Sequence, residues 1–64
     1  MKNAELIELQ EQYRTMFRSH PTDRYLVLLG IASGVALEEC YTDAERGKRL
    51  RVLFQVWEEE NNAR

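Results

Sequence analysis

The sequence predicts an all-α protein with three helices arranged up, down and up, completed by homodimerisation. Three observations carry that expectation. Pro21 is the only proline, so the 64-residue chain is divided sharply once. Apolar residues on both sides of it recur at helical spacing, and no alternating apolar run bounded by turn residues reads as a strand. The connections are short, which favours antiparallel neighbours. One domain is expected over residues 1–64, with helices at about 3–18, 23–41 and 43–61.

The first helix, Asn3–Arg18, places Leu6, Leu9, Tyr13, Met16 and Phe17 on one stripe, with Ile7 off it. Glu5, Glu8 and Glu11 near its start and Arg14 and Arg18 near its end suit the helix dipole. The second helix, Asp23–Tyr41, takes Thr22 as its N-cap. The alternative is Ser19 or His20 capping with Pro21 in the first turn. It is apolar nearly all round from Tyr25 to Leu37 and is expected to be the most buried element. One face carries Tyr25, Leu28, Leu29, Ala32, Val35 and Ala36. The other carries Val27, Gly30, Gly34, Leu37 and Tyr41. The third helix, Asp43–Asn61, opens on Thr42 and Glu45 at capping-box spacing. Leu50, Leu53, Phe54 and Trp57 form its stripe, and Val52 and Val56 widen the apolar face beyond what one neighbour would cover.

Charge gives an independent guide to arrangement. Arg46, Lys48, Arg49 and Arg51 lie near the start of the third helix, and Glu58, Glu59 and Glu60 near its end, against its own dipole. Set parallel to the first helix, the pattern is complementary at both ends. Antiparallel pairing with the third helix of a second copy also matches the signs.

Gly30 and Gly34 pose a question of cost, since each glycine in a helix interior gives up about 0.8–1.0 kcal/mol relative to alanine. Two explanations stand. Within the chain, the first or third helix approaches closely, beneath Tyr13 or Trp57. Between chains, two copies cross at the second helix. The expected helix-packing or dimer interface is Val27, Gly30, Gly34, Leu37, Tyr41, Leu53 and Trp57.

Size argues for the second copy. A domain this small buries only about 60% of its unfolded surface. Cys40 is the only cysteine, so no disulfide forms within the chain. His20, the only histidine, stands about 30 Å from Cys40 along a continuous helix, which leaves no metal site.

No chemistry is expected either. His20 reads as a turn residue. Cys40 reads as a small apolar residue at the end of the second helix, and Glu38 and Glu39 oppose its thiolate. The chain is too small for a typical pocket with a positioned acid, base and oxyanion site. The expectation is a non-enzyme without cofactor.

Net charge is −2, from nine basic and eleven acidic side chains, which disfavours a general nucleic-acid binder. The uncharged run from Tyr25 to Leu37 is shorter than the roughly 20 residues that span a bilayer, so no membrane association is expected. Polar and acidic residues in Met1–Leu9 stand where a secretory leader would be apolar. One free cysteine suits a reducing cytoplasm.

The candidate partner-binding residues are Arg46, Lys48, Arg49 and Arg51, with Val52, Val56 and Ile7 as apolar surface left after folding. The basic cluster reads first as a solvated face stapled by Glu45–Arg49 and by the acids of the first helix. The acidic end, Glu58–Glu60, reads as a solvated helix terminus. The leading expectation is therefore a protein-interaction factor with an unknown protein partner. A nucleic-acid-binding regulator using the basic cluster is the alternative, and a purely structural oligomer subunit the third reading.

The stretch "SHPTDRYLVLLGIASGVALEECYTDAERGKRL" carries a His-Pro turn, a Gly-Ile-Ala-Ser-Gly helix and a Glu-Glu-Cys-Tyr-Thr-Asp junction. In these features and in size it resembles the small helical accessory proteins of the early exo–xis region of lambdoid bacteriophages. The resemblance covers about half the chain. It implies a phage or prophage protein in the host cytoplasm that modulates host physiology or phage development through protein contacts. It transfers no catalytic or ligand residue.

Overall fold

The computed structural model describes residues 3–62, so the outer ends of the expected domain, residues 1–2 and 63–64, lie outside the described residues. Three helices make up the fold: α1 (Asn3–Ser19), α2 (Arg24–Leu37) and α3 (Asp43–Asn62). There is no strand among the described residues. The most extensive contact is between α1 and α3, and α2 leans on α3 more than on α1.

The core follows the amphipathic stripes of the outer helices. Leu9, Tyr13 and Phe17 on α1 recur every four residues, and with Val52, Leu53 and Val56 on α3 and Leu28 on α2 they form one buried cluster. Leu6, Val27, Ile31, Ala32, Leu50 and Trp57 close around it. Phe17 and Leu53 are wholly removed from solvent, each contributing about 1.5–3 kcal/mol by that burial. Trp57 joins all three helices. Its ring lies 5.5 Å from that of Phe17 and 6.2 Å from that of Tyr25, both tilted. The Arg24 guanidinium stands 5.8 Å above it.

The α1–α2 connection is a tight turn. The His20 amide donates to the Phe17 carbonyl and the Asp23 amide to the His20 carbonyl, each at 3.2 Å. Thr22 is therefore not the cap. Asp23 holds that position without a side-chain cap bond. At the other end α2 stops at Leu37 rather than Tyr41, because Glu38 turns extended (φ −71°, ψ 115°). The Glu38 carboxylate accepts from the Cys40 amide, and its carbonyl accepts from the Arg46 guanidinium at 2.6 Å. These polar contacts hold residues 38–42 as a connection. Cys40 consequently lies exposed in that connection rather than within a helix end.

The start of α3 follows the expected capping box. The Glu45 amide donates to Thr42 Oγ1 at 3.1 Å, and the Thr42 amide donates to Glu45 Oε1 at 3.2 Å. These bonds hold the Glu45 carboxyl below the usual glutamate range, the backbone amide of Thr42 contributing most.

The largest departure from expectation is α2, which is not the most buried element. Only Leu28 and Val35 on it are buried. Leu26 is 66% exposed and Leu37 78%. The reason is geometric: α2 has 14 residues and rests on two helices, which cover one side of its circumference and leave the other outside. A Cβ at Gly30, Gly34 or Gly47 would meet nothing within 4 Å, so neither Tyr13 nor Trp57 fills a glycine groove within the chain. Met16 and Phe54, expected in the apolar stripes, also lie exposed at the edges of their helices.

Three outcomes follow. At concentrations that keep the chain monomeric, alanine at Gly30, Gly34 or Gly47 raises unfolding stability by about 0.5–1 kcal/mol in urea titrations. Thr42→Ala lowers it by about 1 kcal/mol. Because folding depresses the Glu45 pKa, the capping contribution is present above the unfolded value. It is lost as pH falls below the usual glutamate range, about 4.3. Glu45→Gln, which keeps the box, flattens that part of the stability–pH curve.

Candidate interaction surfaces

Three surfaces stand out: the basic start of α3, the charged junction where α1 and α3 end together, and the outward side of α2.

The basic cluster is not one patch. Arg46 donates to Asp43 Oδ1 at 2.9 Å and to the Glu38 carbonyl, tying the α2–α3 connection to α3. The Arg49 guanidinium lies 4.4 Å over the Tyr41 ring. The Nε atoms of both arginines are buried without a hydrogen-bond partner. Arg49 also sits beside Tyr13, whose hydroxyl is pushed above its ordinary pKa by burial, against the opposing pull of the Arg49 charge.

The expected Glu45–Arg49 staple is not among the ion pairs of the described residues, because the Glu45 carboxylate serves the capping box. Glu5 and Glu8 line a shallow cleft with Arg49 and Gln12, yet neither forms an ion pair there. Lys48 and Arg51 remain free to face solvent, beside a shallow groove they share with Leu6, Val52 and Gln55.

Val52 and Val56, expected as apolar surface, are 5% and 1% exposed. They stand one turn apart on the side of α3 that closes on α1, and are core. Ile7 is exposed as expected. Within the expected interface set, Leu53 is fully buried, Val27 and Trp57 pack against the core, and half-buried Tyr41 lies past the end of α2. Gly30, Gly34 and Leu37 do lie open on α2.

At the other end of the molecule Glu60 is buried, which the expectation of a solvated acidic terminus missed. Its carboxylate takes Arg18 Nε at 2.9 Å and stands 3.6 Å from Arg14 Nε. Arg14 also reaches Glu59 at 3.1 Å and pairs with Glu11. Arg24 at the start of α2 donates to Asn61 Oδ1. The spacing of Glu60 from Val56 and Leu53 on α3 was the available signal, since it continues their buried face. A carboxylate in the last turn opposes the helix dipole, and the two arginines offset that cost.

The outward side of α2 is uncharged. Leu26, Leu29, Gly30, Ser33 and Leu37 lie on it, with Tyr25, Gly34 and Ala36 at its flanks, all exposed. Among the described residues no group of three or more His, Cys, Asp and Glu could hold a metal ion. No helix among them is long and apolar enough to cross a membrane. No protein-family model, curated protein or solved structure matches the chain.

The junction generates a stability prediction. Glu60→Ala leaves Arg14 and Arg18 without their shared partner and costs about 1–3 kcal/mol in urea unfolding. Glu59→Ala, which removes an exposed partner, costs less than about 1 kcal/mol.

Proposed function

We propose that this chain is a small non-enzymatic protein-interaction factor that works as a homodimer, its three helices running up, down and up. The observation that carries this reading is the outward side of α2. The most apolar segment of a very small chain keeps Leu26, Leu29 and Leu37 in solvent, with no charge between Arg24 and Glu38. Exposed contiguous apolar surface on a soluble chain marks a place where another molecule sits.

The helix directions in this reading are supported by contacts at both ends. Arg14 and Arg18 late in α1 reach Glu59 and Glu60 late in α3, while Arg24 at the start of α2 reaches Asn61 at the end of α3. Glu38, just past α2, meets Arg46 in the first turns of α3.

In this reading, binding to a further protein falls to surfaces outside α2, namely Ile7 on α1 and Lys48 and Arg51 on α3. The setting proposed for that activity is the cytoplasm of a bacterial host, acting on host physiology or phage development, as a resemblance to lambdoid phage accessory proteins would imply.

The test is affinity capture from bacterial lysate with mass spectrometry, comparing the natural chain with an Ile7→Ser, Arg51→Glu double variant. The expected result is a protein retained by the first and lost by the second. Capture of the chain's own copies alone returns the structural-subunit reading. A DNA titration at two salt concentrations covers the other alternative. Affinity that falls steeply with salt and vanishes in Arg51→Glu returns the nucleic-acid reading.

A further inference from the structure

We infer that the outward face of α2 is the seat of a second copy of this chain, crossing antiparallel with the Gly30–Ser33 turn at its centre. This rests on the dimer reading above and specifies its face and register.

Leu26, Leu29, Gly30, Ser33 and Leu37 recur at i, i+3, i+4, i+7 and i+11, which is one side of a helix. It is the side opposite buried Leu28 and Val35, and all five residues are exposed. The large residues stand near the ends of α2 and the small ones in its middle. In an antiparallel two-fold pairing centred between Ile31 and Ala32, Leu26 of one copy meets Leu37 of the other. Gly30 meets Ser33, and a Cβ on Gly30 would touch nothing within the chain, which leaves room there for the other copy. Leu29 lies on the same edge of the face as Ser33 and Ala36 and packs against those residues of the other copy. Isologous pairing of this kind requires a self-complementary patch.

Charge selects both the occupant and the direction. The face carries no ionisable group other than the Tyr25 phenol at its flank. A copy of the same face therefore leaves no charge desolvated. Parallel crossing would bring Glu38 and Glu39 of both copies together as four carboxylates. Antiparallel crossing separates them by about the 21 Å length of α2. The acidic residues Asp23, Glu38 and Glu39 at the two ends disfavour an anionic lipid surface as occupant.

The area is of the right order. Tyr25, Leu26, Leu29 and Leu37 expose on the order of 500 Å² per copy, within the roughly 300–600 Å² of the largest patch on a typical monomer. The exposed backbone of Gly30, Ser33 and Gly34 extends this toward the roughly 800 Å² per partner of a standard interface.

The experiment uses the full chain. Sedimentation equilibrium from 1 to 100 µM is expected to show a species of twice the 7.6 kDa chain mass. Leu29→Glu and Gly30→Leu are each expected to return it to one chain with helical circular dichroism retained. In a Cys40→Ser background, Leu26→Cys together with Leu37→Cys is expected to oxidise to a linked dimer, while Leu26→Cys alone is not.

A single-chain mass at 100 µM overturns the proposal, as does a monomer that co-sediments with phosphatidylglycerol vesicles. Ready cross-linking of Leu26→Cys alone overturns the antiparallel register while leaving a dimer. Capture of another protein in lysate by the Leu29→Glu monomer keeps the interaction reading whatever happens to the dimer.

Discussion

Val52, Leu53 and Val56 on α3 share one buried cluster with Leu9, Tyr13 and Phe17 on α1, and the remaining contacts are arranged around that seam. The two helices are the longest in the chain, with 17 and 20 residues, and each offers a continuous apolar face. α2 rests on the surface that these two helices make together. Its buried residues, Leu28 and Val35, are too few to form a core by themselves. Glu60 lies at the end of the same seam, and its pairing with Arg14 and Arg18 fixes which turns of α1 and α3 stand together. A buried charge of this kind adds little net stability. It does penalise arrangements in which the carboxylate loses its partners.

That seam also explains why the arginines of α3 are a poor common binding patch. Arg46 and Arg49 are drawn inward, one to the backbone of the α2–α3 connection and one over Tyr41. They brace the end of the molecule opposite the Glu60 junction. Lys48 and Arg51, on the other side of the helix, keep their charges in water. Four neighbouring cations in the sequence therefore divide into two structural braces and two surface charges, because successive residues on a helix point about 100° apart.

Much of the fold was legible in the sequence. Pro21 and the Thr42/Glu45 capping box marked the two connections, since both signals act through local backbone chemistry. The Leu9–Tyr13–Phe17 stripe marked the buried side of α1 because its neighbours in the sequence are polar. The signal failed where nearly every residue is apolar. Around α2, periodicity had no contrast to report, so Leu26, Leu29 and Leu37 could not be distinguished from Leu28 and Val35. Much the same happened on α3, where a wide apolar face gave no reason to prefer Val52 and Val56 over Phe54 as core.

Local chemistry, then, was determined by the sequence alone: an all-helical chain, two short connections, a capped third helix and the complementary charges of Arg14 and Arg18 with the acidic end of α3. Only the tertiary structure decided which apolar residues are covered. Burial depends on how many neighbours a helix side has. Two helices can cover only one side of a third, and the side of α2 left over carries the glycines and leucines that most needed explanation.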